Sequence, residues 1–386
     1  MLNRRHHRFS SLLLALVLAN LPGHALAQEP GVGPRSIRIG QSAPFSGPAG
    51  DLGRDYRLGA QLVFDTVNAQ GGVYGRRIVL VSRDDRYEPK LTVRNTQQLL
   101  DKDKVFALFG YVGSATVKAA LPLIETDQVP LVAPLTGAQL TRSPMRPLVF
   151  NVRASYHQEI EAIVRYLLRY GRRSIAVVYQ DDAYGLDGLL GLRKALGQRG
   201  LKPVLETSVE RNSTKTRDAA IRVAQVRPDA VLIISSYTTV ASFIPQLRQQ
   251  GSQAQVMNVS FVGSTALARA LPSQYRHGVG VSQVVPFPWN RRVPVVRDYQ
   301  NSFKQGGRDA PLGFTSLEGY IAASMLVRAL TAAGPELTRS GLVRTLESMG
   351  TVDLGGYQVR FSPSQRSGSD LVELTFLVGR HGNFIH

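Results

Sequence analysis

A regular beat of short apolar runs and longer segments with helical spacing constrains this chain more than any other feature. Beyond a Pro/Gly-rich stretch at 29–34, residues 36–42 alternate apolar and polar positions as a strand does. Residues 54–70 carry Leu58, Leu62 and Val63 at helical spacing, and Gly71-Gly72 stops that helix. The beat continues through 77–82, 91–100, 105–111, 115–126 and 130–134. Strands joined by helical crossovers pair in parallel, so this half predicts an α/β unit.

A second series follows residues 149–153: helix 158–170, strand 174–179, helix 186–198, strand 203–209, helix 216–225, strand 230–235 and helix 239–250. The remainder offers strand 280–285, helices near 296–303, 317–332 and 340–348, and hairpin-like segments at the end. That is too few parallel strands for a third sheet. At 386 residues the chain is too long for one core, and two lobes account for it. The economical topology returns to the first lobe near Val284 and crosses again near Ser369. One lobe is then 35–153 plus 284–369 and the other 154–283 plus 370–386, joined by a hinge of three segments. The predicted class is α/β with two doubly wound parallel-sheet lobes, whose ligand site lies in the cleft at the carboxyl ends of the strands.

Composition narrows the possibilities. There is no cysteine, hence no disulfide, thiolate metal site or cysteine nucleophile. Arg4, Arg5 and Arg8 precede an apolar run at 12–21 that ends in Ala25-Leu26-Ala27, the pattern of a secretory signal over residues 1–27. That run falls short of the about 20 apolar residues a membrane span needs, and no later stretch is long enough. The expectation is a monomer that diffuses in a bacterial periplasm without membrane insertion. The net charge of +18 is dispersed: the arginine pairs 76–77, 172–173 and 291–292 lie far apart, with no aromatic-interleaved basic stripe. A solvated basic surface is expected, not a nucleic-acid site.

Catalytic chemistry finds little support. Beyond the signal, His157, His277, His381 and His386 show no metal-pair spacing, and His157 reads as the start of a surface helix. Gly185, Gly188 and Gly191 are spaced GxxGxxG, unlike a dinucleotide loop, and read as helix-start packing. No cofactor or metal is expected. Small polar residues cluster instead at loops that follow strands. Ser114 stands where a helix begins after strand 105–111, and Thr136 ends the next strand. Such a hydroxyl either caps its helix or, with free backbone N–H groups, holds a carboxylate.

The segments 39–48, 59–60 and 68–73, then 110–116, 179–185 and 237–251, resemble the leucine/isoleucine/valine-binding protein family, periplasmic receptors of ABC importers with the type I periplasmic binding fold. The resemblance spans the chain beyond the signal. It implies a non-enzymatic solute-binding protein that closes two lobes over a small amino acid-like or carboxylate ligand and delivers it to a membrane permease. By the same resemblance Ser114 and Thr136 hold the ligand carboxylate, Tyr184 and Tyr237 close over it from the second lobe, and Leu52 takes the place of an aromatic wall residue. Amino-acid binders of the family set a carboxylate against the ligand ammonium in the loop matched by 258–263, where this chain has Ser260. Unless Asp182 or Asp85 substitutes, an ammonium there is desolvated without compensation, which favours an amide, an aliphatic acid or an aromatic acid. A receptor feeding a sensor kinase is the alternative role, and gene neighbourhood discriminates the two.

Overall fold

The computed structural model describes residues 29–306, 311–379 and 383–386; the signal at 1–27 and His381 lie outside the described residues. The first lobe begins with β1 (Ser36–Ala43), α1 (Gly50–Ala69), β2 (Arg77–Asp84), α2 (Pro89–Asp101), β3 (Ala107–Phe109), α3 (Ser114–Thr126), β4 (Leu131–Val132) and β5 (Val149–Phe150). Its strands pair in parallel in the order β2-β1-β3-β4-β5, with Ser36 opposite Arg77 and Ile39 opposite Ala107.

The second lobe follows with α4 (Tyr156–Arg169), β6 (Ile175–Gln180), α5 (Ala183–Gly197), β7 (Leu205–Val209), α6 (Arg217–Val226), β8 (Ala230–Ile234), α7 (Tyr237–Gln249), β9 (Gln255–Asn258), α8 (Ser264–Ala270) and β10 (Gly280–Gln283). Its parallel part runs β7-β6-β8-β9-β10, the same strand order as the first sheet. Residues 175–178 and 230–234 are wholly buried, because helices cover both faces. In each sheet the strand order reverses at one point, between β1 and β3 and between β6 and β8, and there the crossovers leave a crevice at the strand ends.

Three glycines of α5 show why no dinucleotide loop forms. A Cβ on Gly185 would lie 1.9 Å from the Gln180 carbonyl oxygen, one on Gly188 2.7 Å from Ile234 Cδ1, and one on Gly191 2.9 Å from His157 Cδ2. They let α5 press onto the sheet and α4. The expectation of a surface helix at His157 is corrected, because Tyr156, Glu159, Ile160, Ile163, Val164 and Leu167 bury most of α4.

The chain then returns to the first lobe through α9 (Pro294–Gln305), α10 (Phe314–Ala332) and α11 (Arg339–Ser348). Helices α1 and α10 meet backbone to backbone: a Cβ on Gly59 would stand 1.7 Å from the Ser316 carbonyl oxygen, and one on Gly319 2.0 Å from that of Tyr56. A hairpin of β11 (Gly350–Asp353) and β12 (Gln358–Phe361) precedes β13 (Glu373–Val378) and β14 (Asn383–Ile385), which extend the second sheet antiparallel beside β10. The chain thus passes between sheets after β5, after β10 and before β13. These crossings are bonded together. The Gly368 N–H donates to the Asn151 carbonyl at 2.7 Å, and the Tyr357 hydroxyl lies 3.4 Å and 3.2 Å from the carbonyl oxygens of Val152 and Val284. Among the described residues no helix is long and apolar enough to cross a membrane.

Candidate functional site

The segments that follow β1, β2 and β4 meet those that follow β8, β9 and β6, through Asp51 and Tyr237, Tyr87 and Phe261, and Gln139 and Asp187. Gly113, at φ 101°, is the N-cap of α3, so Ser114 is the first helical residue and its side chain makes no capping bond. The Ser114 hydroxyl instead pairs with that of Thr136 at 2.8 Å, and Thr136 Oγ1 also accepts the Ala138 N–H at 3.2 Å. Both side chains are fully buried. The choice left open by sequence, cap or ligand contact, thus turns away from the cap.

Four aromatic rings cluster on the side of this hydroxyl pair where Tyr87 and Tyr156 approach it. The Tyr156 N–H donates to the Gly137 carbonyl at 2.9 Å, and a Cβ on Gly137 would stand 2.6 Å from Tyr156 Cδ1. On Gly113 it would stand 2.2 Å from Tyr87 Cε2. Tyr184 lies 5.0 Å from Tyr156 and 4.7 Å from Phe261, ring centroid to centroid, and Tyr87 lies 5.9 Å from Phe261. All four rings are buried. Tyr87 is at φ 63° and the preceding Arg86 at φ 53°. Left-handed backbone at bulky residues costs about 1–2 kcal/mol each, so the turn holds strain to aim Tyr87 at the junction. The Tyr184 hydroxyl is buried with no hydrogen-bond partner among the described residues, while that of Tyr156 is buried beside Thr136 and Gly137. Burial pushes the Tyr156 phenol up to about 12 and raises Tyr184 well above the ordinary range, so both remain protonated donors.

The remaining sequence candidates are engaged with partners of their own. Asp182 is the N-cap of α5: it accepts the N–H groups of Tyr184 at 2.9 Å and Gly185 at 3.4 Å and the Gln180 amide at 2.7 Å, with Arg211 3.6 Å away. Asp85 accepts the Ser42 and Thr92 hydroxyls and the Tyr87 N–H. Burial pushes its carboxyl up to about 6. Tyr237 accepts the Asp51 N–H at 3.3 Å, across the lobes. Leu52 faces Gly263, whose added Cβ would lie 2.5 Å from Leu52 Cδ2. Tyr237 and Leu52 therefore belong to a seam that Arg269 completes by pairing with Asp51 at 3.1 Å. A second seam joins Glu88 to Arg211 and Asn212, both at 2.9 Å.

Ser260 is held from behind. Its hydroxyl accepts from Arg153, and its N–H donates to Glu159 at 2.8 Å. Arg153 also donates to Glu159 at 2.7 Å and Glu318 at 3.3 Å. Burial opposes the Arg153 charge, but Glu318 and Glu159 outweigh it and raise its pKa. Burial pushes Glu318 up to about 7 against the pull of Arg153. Sequence reasoning missed Tyr87, Tyr156, Phe261 and Arg153. Tyr87 follows a strand, as Ser114 does, and was findable on that ground; Tyr156 and Arg153 lie in a segment read only as a connection.

Two open hollows, of about 590 Å³ by Trp289 and Phe384 and about 620 Å³ by Asp51 and Arg57, lie on the surface. Neither gathers the strand ends of both sheets. Hydroxyl donors beside an aromatic cluster can bind and orient a small molecule. Among the described residues no group of His, Asp and Glu could hold a metal ion.

Two α/β lobes meeting over buried hydroxyls and aromatic rings have the architecture of a two-lobed binding protein. Residues 36–371 match the family model described as periplasmic binding protein, and the chain belongs to that family. It is 26% identical over 333 residues to an amino acid binding protein of Pseudomonas aeruginosa, covering 84% of this chain and 85% of that one. A possible leucine/isoleucine/valine-binding protein from Rhodopirellula baltica superposes with TM-score 0.87 at 31% identity, covering 91% of this chain and 96% of that one. A substrate-binding periplasmic protein from Ralstonia solanacearum gives TM-score 0.85 at 32% identity, covering 91% and 99%.

Proposed function

We propose that the protein is the solute-binding component of an ABC importer, exported by its signal at 1–27, which captures a small carboxylate between its lobes and presents the closed form to a membrane permease. The observation that carries this is the Ser114–Thr136 hydroxyl pair, fully buried at the ends of β3 and β4 and flanked by rings from both lobes. The carboxylate accepts from Ser114 and Thr136, and its body lies against Tyr87, Tyr156, Tyr184 and Phe261. The units 35–153 with 284–369 and 154–283 with 370–386 move about the three crossings. A ligand that touches both lobes only when they are closed shifts the population to that state.

Likeness of fold leaves the ligand open. At 19% identity one structure of this fold is a branched chain amino acid ABC transporter protein from Thermus thermophilus with bound valine, and another, from R. palustris, is a solute-binding protein with benzoate. Thermal-shift screening of amino acids, amides and organic acids, followed by calorimetry, tests the proposal. A carboxylate should raise the melting temperature by mass action. Protection by a sugar or cation, with every carboxylate silent, would refute it.

A further inference from the structure

We infer that the far edge of the second lobe is a membrane-docking surface, a basic face that rests on the anionic headgroups of a lipid bilayer. The sequence scatters its arginines, but the fold gathers some of them. Strands β6, β7 and β8 run parallel, so the connections that lead into them lie together at the sheet edge opposite the ligand site. The N–H groups of Arg173 and Ser174 donate to Asp229 at 2.9 Å and 2.8 Å, and the Val204 N–H donates to the Ile175 carbonyl at 2.9 Å. These bonds fasten residues 170–174, 198–204 and 227–229 side by side, and α4 ends on the same edge.

Arg165 and Arg169 on the last two turns of α4, with Arg172, Arg173, Lys202 and Arg227 beyond helix ends, are all exposed, and none of the six forms an ion pair among the described residues. The acids nearby are already used. Asp229 accepts its two N–H groups, Glu161 pairs with Arg199 and Glu206 with Arg193. The pull of a helix C-terminus on cations accounts for Arg169 and Arg227, which end α4 and α6, but not for Arg172, Arg173 and Lys202. The matching edge of the first lobe is mixed: Asp101, Asp103 and Asp127 stand there among Lys102 and Lys104. Within the basic edge Tyr170 is 65% exposed, its ring 4.8 Å from that of Tyr166. An amphipathic ring among guanidinium groups suits the headgroup level of a bilayer, where phosphates meet apolar chains. A receptor that serves a membrane permease, the reading on which this choice of surface rests, works beside such phosphates, and docking raises its effective concentration near the permease.

Vesicle flotation with protein purified from the periplasmic fraction tests this, comparing vesicles of equal parts phosphatidylglycerol and phosphatidylcholine with phosphatidylcholine alone. The protein should float with the anionic vesicles at low salt and lose that partition as salt screens the charges. Each arginine near an anionic surface contributes about fivefold, so Arg172→Glu with Arg173→Glu should lower the partition at least about 25-fold, with ligand affinity and melting temperature unchanged. Lys102→Glu with Lys104→Glu alters the net charge equally on the first lobe and should lower it about threefold or less. Should the arginine variant melt early, Arg165→Glu with Lys202→Glu carries the same comparison. Equal losses in the variants of the two lobes would overturn the inference, because net charge rather than this edge would then be responsible. Equal flotation with phosphatidylcholine alone would overturn it too, as would retention on a DNA duplex at a salt concentration where the anionic vesicles bind nothing. None of these results touches the carboxylate reading, which ligand calorimetry decides separately.

Discussion

Replacing Ser114 by Ala separates its two possible roles, because the structure assigns each a different cost. The side chain caps nothing: Gly113 is the N-cap, so the usual penalty of about 1 kcal/mol for a lost cap does not apply. What disappears is one buried neutral hydrogen bond to Thr136 at 2.8 Å, about 0.5–1.5 kcal/mol. Thr136 keeps the Ala138 N–H, so its oxygen is not orphaned. In a chain of this length the ligand-free melting temperature should fall by about 2 °C. Binding should suffer more. A hydroxyl that donates to a carboxylate contributes about 1.5–3 kcal/mol, so the dissociation constant should rise about 10- to 150-fold. Calorimetry with the tightest-binding carboxylate and a thermal melt measure the two numbers. Because the two hydroxyls are bonded to each other, Ser114→Ala and Thr136→Val should be non-additive in affinity, with a coupling of about 0.5 kcal/mol or more. A melting temperature lowered by several degrees with affinity unchanged would refute the reasoning and return Ser114 to a structural role.

Burial holds Glu318, Asp85 and Asp55 above the ordinary carboxyl range, at about 7, 6 and 6. A folded pKa above the unfolded one means the native state binds the proton more tightly, so this stability is present below about pH 4 and is lost as pH rises through 6 to 7. Urea midpoints should therefore fall between pH 5 and pH 7.5, and Glu318→Gln should flatten that slope; a slope equal to the wild type removes Glu318 from the account. Gly59→Ala drives a Cβ to 1.7 Å from a backbone carbonyl, which cannot swing aside as a side chain can. It should cost at or above the about 1–3 kcal/mol of overpacking, read by denaturant titration, and a neutral result would mean α1 and α10 are free to part. Arg269→Ala and Glu88→Gln each open one seam between the lobes. Both pairs are partly exposed and worth about 0.2–1 kcal/mol, so stopped-flow should show ligand release accelerating by about fivefold or less, with the effect fading at high salt. Salt-independent acceleration would mean the seams do not act through charge.

The two-lobe α/β plan was legible in sequence because its signals are local. Hydrophobic period separates strand from helix within about a dozen residues, and helical crossovers force parallel pairing. The same logic singled out Ser114 and Thr136 as candidates, since the loop after a parallel strand is where such sheets bind. It could not tell their loops from that of Tyr237, which also starts a helix after a strand and yet reaches the first turn of α1. That outcome depends on how the two sheets face each other, which no local pattern records. Tyr87, Tyr156 and Phe261 come from segments up to 174 positions apart, and the left-handed turn that aims Tyr87 is written in no glycine. Ser260 announces a missing acid in the sequence, but the groups that hold it, Arg153 and Glu159, stand 107 and 101 positions earlier. Period and turn chemistry act between neighbours along the chain. Coulomb attraction and hydrogen bonding act between neighbours in space, so the buried cluster of Arg153, Glu159, Ser260 and Glu318 exists only because the crossings between β5, β10 and β13 bring its members together.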